Sequence, residues 1–262
     1  MASALAPNPS IFTGKGTNTY VVGSGEEVVV IDPGSSDARH LHHVAQLAVG
    51  MGRPSAVVLT HHHPDHTDGA VELAKQLGAP LMAFPHELAP AIDRSLADGE
   101  VIYTGAGGLR VVHTPGHTSD HVCLHWEEAG IVFAGDLVAG EGFIVIDPPD
   151  GNMADYLRSL ARVRDIGAEQ VLPAHGAAID DPRNYLDGYI AHRLEREAKV
   201  LAAVTPGATL RLDAILPVAY DDTPQAMHPV AARSLLAHLD KLVEDGAVIR
   251  EGEGEEALYR RP

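Results

Sequence analysis

The order of apolar runs and turns predicts an α/β protein of two packed αβ halves with a small C-terminal appendage. Three observations predict it. Short strand-like runs alternate with helix-like stretches as far as Val204, and the plan is given twice, which suits helices covering the faces of two sheets. Several of the runs stop at turns that begin or end with Asp or His, the way loops gather at one edge of a layered sheet. A break at Thr205-Pro206-Gly207 then sets off a tail with its own rhythm.

The elements follow in order. Tyr20–Val22 and Glu27–Ile31 read as a hairpin around Gly23-Ser24-Gly25. Asp32-Pro33-Gly34 leads into a helix from Asp37 to Val49, with Ser36 as its N-cap. A strand over 56–60 comes next, then a helix from Asp68 to Leu77 stopped by Gly78, a strand at Leu81–Phe84 and a surface helix at Glu87–Ala97. The second half has strands near 101–103, 109–112, 121–125 and 131–134, a helix near 154–166 and a strand at 170–172. Tyr185–Val204 is a long charged helix. The tail reads helix (210–220), helix (229–244), strand, turn, strand, the plan of a winged helix. The expected domains are therefore 1–204 and 205–262.

Composition sets bounds. A chain of 262 residues with 45% hydrophobic and 21% charged residues can bury one large core and a small second one. Its single cysteine, Cys123, excludes an intramolecular disulfide. The start of the chain does not read as a signal peptide, and no apolar stretch approaches a membrane span, so a cytoplasmic address is expected. The net charge of −17 opposes non-specific binding to nucleic acid. The tail holds six basic against ten acidic residues, which favours a packing or lid role over reading DNA, and no binding of duplex DNA is expected.

The chemistry concentrates in residues 60–69, Thr-His-His-His-Pro-Asp-His-Thr-Asp-Gly. His61, His63, Asp65 and His66 fall within six residues directly after the run Ala56–Leu59. Ordinary hydrogen bonds satisfy such a cluster poorly; a divalent cation satisfies it well, since imidazole nitrogen and carboxylate oxygen are good zinc ligands. Three further ligand candidates lie just past strand ends: His117, Asp136 and His175. His61, His63 and His117 could hold one ion, Asp65, His66 and His175 a second, and Asp136 could bridge them. Each ion would keep an open position for water, as catalytic sites do.

The ordered series His61-x-His63-x-Asp65-His66, His117, Asp136, His175 resembles the metallo-β-lactamase superfamily at all seven positions of its dinuclear zinc site. The resemblance implies a four-layer αβ/βα sandwich with the metals at one edge. Asn8-Pro9-Ser10, Gly16–Tyr20, His113–Cys123, Gly135-Asp136 and Gly140–Gly142 are similar to the lactamase-β-like-2 branch, which includes a zinc-dependent endoribonuclease acting on single-stranded RNA. That branch carries a winged-helix-like C-terminal extension, which the tail matches.

Other residues are weighed against plainer roles. His62 has the opposite strand parity and is expected not to be a ligand; His113 is expected to be a polar strand residue, and His40, His42 and His43 a solvated helix face. His121 follows Ser119-Asp120 close to His117 and is a candidate proton donor. Asp32, at a strand end, is a candidate to hydrogen-bond a ligand imidazole and fix its tautomer. Gly14–Thr17 lacks the spacing of a phosphate loop and is expected to be a turn; no Gly-x-Ser-x-Gly elbow indicates a serine nucleophile. The reading is a hydrolase with two Zn²⁺ per chain, Asp65 orienting the attacking water. Its substrate is single-stranded RNA by resemblance, or a small ester, thioester, lactone or β-lactam by charge. A mononuclear iron dioxygenase and a non-enzymatic winged-helix binding protein are the rivals.

Overall fold

The computed structural model describes residues 1–262, the side chain of residue 255 excepted. The first half contains β1 (Ala2–Leu5), β2 (Asn18–Ile31), α1 (Ala38–Met51), β3 (Gly52–Val58), α2 (Pro64–Thr67), α3 (Ala70–Leu77), β4 (Leu81–Ala83) and β5 (Arg94–Ser95). The second contains β6 (Val101–Thr104), β7 (Gly107–His113), β8 (Val122–Trp126), β9 (Ile131–Gly135), α4 (Met153–Ile166), β10 (Gln170–Pro173) and α5 (Pro182–Ala203). The tail contains β11 (Leu210–Arg211), α6 (Leu212–Ala219), α7 (His228–Glu244), β12 (Ile249–Glu251) and β13 (Leu258–Arg260).

Two five-stranded sheets form, in the orders β1-β2-β3-β4-β5 and β10-β9-β8-β7-β6. Strand alternation explains the layers. In β2, Val28 and Val30 turn outward onto Leu41 and Val44 of α1. Val29 and Ile31 turn inward onto Leu109, Val111, Leu124 and Phe133 of the other sheet. That sheet's opposite face, with Cys123, Val132 and Ala134, is covered by Tyr156, Leu160 and Val163 of α4 and by Leu186 of α5. Helix, sheet, sheet, helix is the expected four-layer order. In the tail, a three-stranded sheet β11-β13-β12 packs with α6 and α7 around Ile215, Leu235, Leu239 and Tyr259. Val200, Ala203 and Val204 join this core, so the end of α5 is built into the appendage.

Three local expectations need correction. The hairpin at 20–31 does form inside the segment labelled β2: Thr19 Oγ1 donates to Asp32 O at 2.8 Å, the first arm pairs with β1 and the second with β3. Gly23, at φ +119°, lies where a Cβ would strike Glu27 O on the returning arm. The helix expected at 87–97 does not form. Pro90 disfavours helical geometry at Ala89, and buried Leu96 is spent between the sheets. Asp37 caps α1 in place of Ser36, its carboxylate accepting from the N–H groups of Arg39 and His40. On that helix His42 and His43 are exposed as expected. His40 is not: it turns to the sheet and its Nε2 lies 2.8 Å from Pro33 O.

Candidate metal centre

The candidate ligands all sit where strands of the two sheets end. β3 ends at Val58, and its continuation carries His61 and His63 into the one-turn helix α2, which carries Asp65 and His66. His117 lies on the turn after β7, Asp136 directly after β9 and His175 just after β10. The structure brings all seven together in two groups: His61, His63 and His117, and Asp65, His66, Asp136 and His175.

The first group points three nitrogens at one spot. His63 Nδ1 lies 3.0 Å from His61 Nε2 and 3.0 Å from His117 Nε2. The remaining nitrogen of His117 is engaged elsewhere, its Nδ1 donating to Val145 O at 2.8 Å, which leaves Nε2 as a lone pair. Burial first, and then the neighbouring imidazoles, keep these rings neutral; His63 is pushed down to about 4. Neutral imidazole is the form that binds metal.

In the second group, Asp136 Oδ1 is 3.2 Å from His175 Nε2 and 3.5 Å from His66 Nε2, while its Oδ2 is 3.5 Å from His117 Nε2. Asp136 thus faces both groups with one oxygen each, as a bridging carboxylate must. Asp65 Oδ2 is 3.3 Å from His175 Nε2. His66 Nε2, His175 Nε2 and Asp136 Oδ1 are buried and make no hydrogen bond. Three orphaned buried polar atoms facing one another fit a cation between them. Burial works against charge at His175, yet the carboxylates of Asp136 and Asp65 raise it to about 9; they hold a proton where a dication would sit.

Support residues fix the donors. Asp32 Oδ2 accepts from His66 Nδ1 at 2.9 Å, so Asp32 takes the orienting position expected from its strand end. The same carboxylate accepts from the N–H and Oγ1 of Thr60 at 2.8 and 2.7 Å. Thr60 escaped the sequence reading, although it stands at the head of the histidine run. So did Asn8 and Thr17: Asn8 bonds Thr17 and Gly34 O, and Thr17 Oγ1 donates to Asp65 O at 2.8 Å. Asn18 ties the other edge, donating to Pro173 O and Gly176 O on either side of His175. These contacts join segments far apart in the chain, and only the spacing of Asn, Thr and Gly near the start hints at them.

His121 does not reach the cleft as a proton donor. It is fully buried; Nδ1 meets Thr114 Oγ1 at 2.8 Å and Nε2 accepts the Asp136 N–H at 3.0 Å. Burial, reinforced by His117, pushes its pKa down to about 3. It is a strut beneath Asp136. His62 is turned away from both groups as its parity predicts, bonding Asp120 at 3.0 Å and stacking on His86. His62, His86 and Asp150 do converge. Of this group, His62 Nδ1 is taken by Asp120 and His86 Nδ1 accepts the Leu88 N–H, while His86 Nε2 stands 3.5 Å from Asp150 Oδ1. His113 is a half-buried strand end stacked on Phe84, and residues 14–17 form a turn beside Asn8.

Above the ligands opens a cleft of about 770 Å³. His63, Asp65, His117 and Asp136 line its floor, with Ile11, Phe12, Phe143, Ile144 and Val145 around them. Ile11, Phe12 and Phe143 are 71%, 50% and 52% exposed, unusual for side chains of their size. Six carboxylates line the cleft, from Asp65, Asp68, Asp136, Glu141, Asp147 and Asp150, against one cation, Arg233.

Comparison with known proteins matches this architecture. Residues 12–175 match the metallo-beta-lactamase superfamily model, and residues 212–256 match the beta-lactamase associated winged helix domain. A beta-lactamase-like protein 2 homolog of Drosophila melanogaster is 32% identical over 97% of this chain and 91% of its own length. An atrochrysone carboxyl ACP thioesterase of Aspergillus chevalieri is 37% identical over 76% of this chain and 64% of its own. The crystal structure of a metallo-beta-lactamase family protein from Thermus thermophilus superposes with a TM-score of 0.81 and 25% identity, covering 100% of this chain and 98% of that one. No helix among the described residues is long and apolar enough to cross a membrane. The chain belongs to the metallo-beta-lactamase superfamily, whose metal-dependent hydrolase fold it joins to a C-terminal winged helix.

Proposed function

We propose that this hydrolase holds two zinc ions and cleaves a small ester or thioester with an apolar acyl or alkyl group. The observation that carries the substrate class is the cleft: exposed apolar side chains stand over the ligand groups, and beyond the metal-ligand candidates its wall carries four carboxylates, Asp68, Glu141, Asp147 and Asp150, against one cation. An RNA backbone needs Lys and Arg against its phosphates, and this cleft offers Arg233 alone, already paired with Asp147. The thioesterase among the relatives supports the same choice.

His61, His63 and His117 would hold one ion; Asp65, His66 and His175 the other, with Asp136 between. A dinuclear zinc centre supplies an activated water near neutral pH and polarises the scissile carbonyl. The chain's own residues do the rest. Asp32 and Val145 O fix the tautomers of His66 and His117, so that Nε2 of each is a lone pair. Asp65, 28% exposed, is the carboxylate of the two groups most open to the cleft; it orients the attacking water, accepts its proton and returns it to the leaving group. The apolar walls exclude bulk water from the reacting bond. Zinc is favoured over iron by a histidine-rich set with carboxylates. A complete second group of donors speaks against a mononuclear dioxygenase, and the open floor against a purely structural ion.

The test compares wild type with His63→Ala after zinc loading, on aryl esters, acyl thioesters and unstructured RNA. Ester or thioester turnover that disappears in His63→Ala supports the proposal. RNA cleavage that disappears in the variant, with no ester or thioester turnover by wild type, overturns it. Elemental analysis should find two zinc ions per chain; one tightly held iron would overturn the metal assignment.

A further inference from the structure

The winged helix places Met227, Val230 and Arg233 on the wall of the same cleft. Two of these come from the first turns of α7, where a DNA-reading module would present its recognition helix. We propose that the winged helix is the specificity element of this enzyme: Met227 and Val230, together with Phe12 of the N-terminal loop, receive the substrate's apolar chain while its ester group lies at the ligand cluster. This rests on the acyl-hydrolase reading above.

The cations of the module are not free for phosphates. Arg211, Arg233, Lys241, Arg250 and Arg260 are each paired with a carboxylate. Arg261 donates to the backbone oxygens of Val204 and Leu201. Among its described residues the module therefore keeps no basic face of the kind nucleic acid requires.

The wall is also fixed in place. Ser234 Oγ accepts the Ile146 N–H at 3.3 Å, and Arg233 pairs with Asp147 at 3.1 Å, both partners on the segment between β9 and α4 that borders the cleft. Ala237, one turn on, is buried in the catalytic core with Ile146, Met153 and Tyr156. The other side of the helix, Leu235, Leu239 and Leu242, belongs to the module's own core. A helix packed into two cores keeps a constant position over the site, as selection of substrate by shape requires. Meanwhile Met227 is 37% exposed and Phe12 50%, so their apolar surface is open to a ligand.

The experiment measures binding of n-alkyl carboxylates, from acetate to decanoate, to the zinc-loaded full chain by calorimetry. Wild type is compared with Met227→Ser, Val230→Ser and the conservative Met227→Leu. Both positions lie at least partly open to solvent, and a thermal melt of each variant checks folding. In wild type, affinity should rise about two- to four-fold per added methylene, the range for partial to full burial. In both serine variants the increment should fall toward one with acetate binding unchanged, and Met227→Leu should restore it. Equal increments in wild type and both serine variants, or no increment in wild type, would overturn the proposal. Hydrolysis of the matching p-nitrophenyl esters is read separately. Absence of turnover in wild type removes the acyl-hydrolase reading, while the binding increments still decide the role of the wall.

Discussion

Asp32 reaches across the sheet edge to His66, carboxylate Oδ2 to imidazole Nδ1 at 2.9 Å, and does so from a left-handed backbone at φ +48°. A non-glycine residue held there costs of order 1 kcal/mol or more, and the fold retains it because both oxygens are used, on Thr60 and on His66. Asp32→Ala should therefore weaken the second ion by about 10- to 100-fold. An ion at the proposed first site, His61, His63 and His117, should change little. Competition with a chromophoric chelator resolves the two; equal weakening of both ions would contradict this division.

Metal removal should destabilise the fold. Buried atoms with no hydrogen-bond partner gather between His66, His175 and Asp136, and a cation is their natural partner. A ligand that binds only the folded chain, present at a hundred times its dissociation constant, adds about 2.7 kcal/mol. Chelation should lower the melting temperature by several degrees, and stoichiometric zinc should restore it. An unchanged melting temperature would argue that the cluster is satisfied by protons alone.

Much of this site could be read in the sequence because its chemistry is local. His61, His63, Asp65 and His66 sit within one short loop, and no hydrophobic or capping role explains all four. His117, Asp136 and His175 were legible because each follows a short apolar run that proves to be a strand. Tertiary pairing was hidden. The ring nitrogens of His121 are committed to Thr114 and to the Asp136 backbone, which no spacing rule reports. The short β5 exists because Arg94 and Ser95 find β4 beside them, against a sequence that reads as helical. The role of α7 as a cleft wall depends on Ser234 and Arg233 meeting residues 146 and 147, contacts across 88 and 86 positions of chain.

Gly135 should resist replacement. It immediately precedes Asp136, has φ +49°, and a Cβ there would stand 2.7 Å from His121 Nε2 and 2.8 Å from Thr60 Cβ. Both neighbours hold the metal centre, through the Asp136 N–H and through Asp32. Gly135→Ala should cost about 1–3 kcal/mol, as backbone strain and overpacking usually do. It should also lower metal occupancy, read by elemental analysis on the folded fraction. Full occupancy with unchanged melting would show that the strut tolerates displacement.

Cys123 gives the pH prediction. Its thiol is completely buried between β7 and β9, and burial pushes its pKa up to about 12, against a smaller opposing effect of the Thr114 hydroxyl at 3.4 Å. An unfolded cysteine ionises near 8.5. The folded pKa is the higher one, so the folded chain binds the proton more tightly. The stabilisation is fully present below the unfolded pKa and is lost as pH rises through the interval toward 12. Two outcomes follow. At pH 8 the native thiol should react with a disulfide reagent at least a hundred-fold more slowly than in denaturant, since the thiolate is the reactive species and the site is closed. And Cys123→Ala, although it loses packing, should lose less stability than wild type between pH 8 and 11, because it has no thiol to ionise on unfolding. Chemical denaturation of both proteins across that range is the measurement. Parallel stability curves would show that other groups carry the alkaline loss.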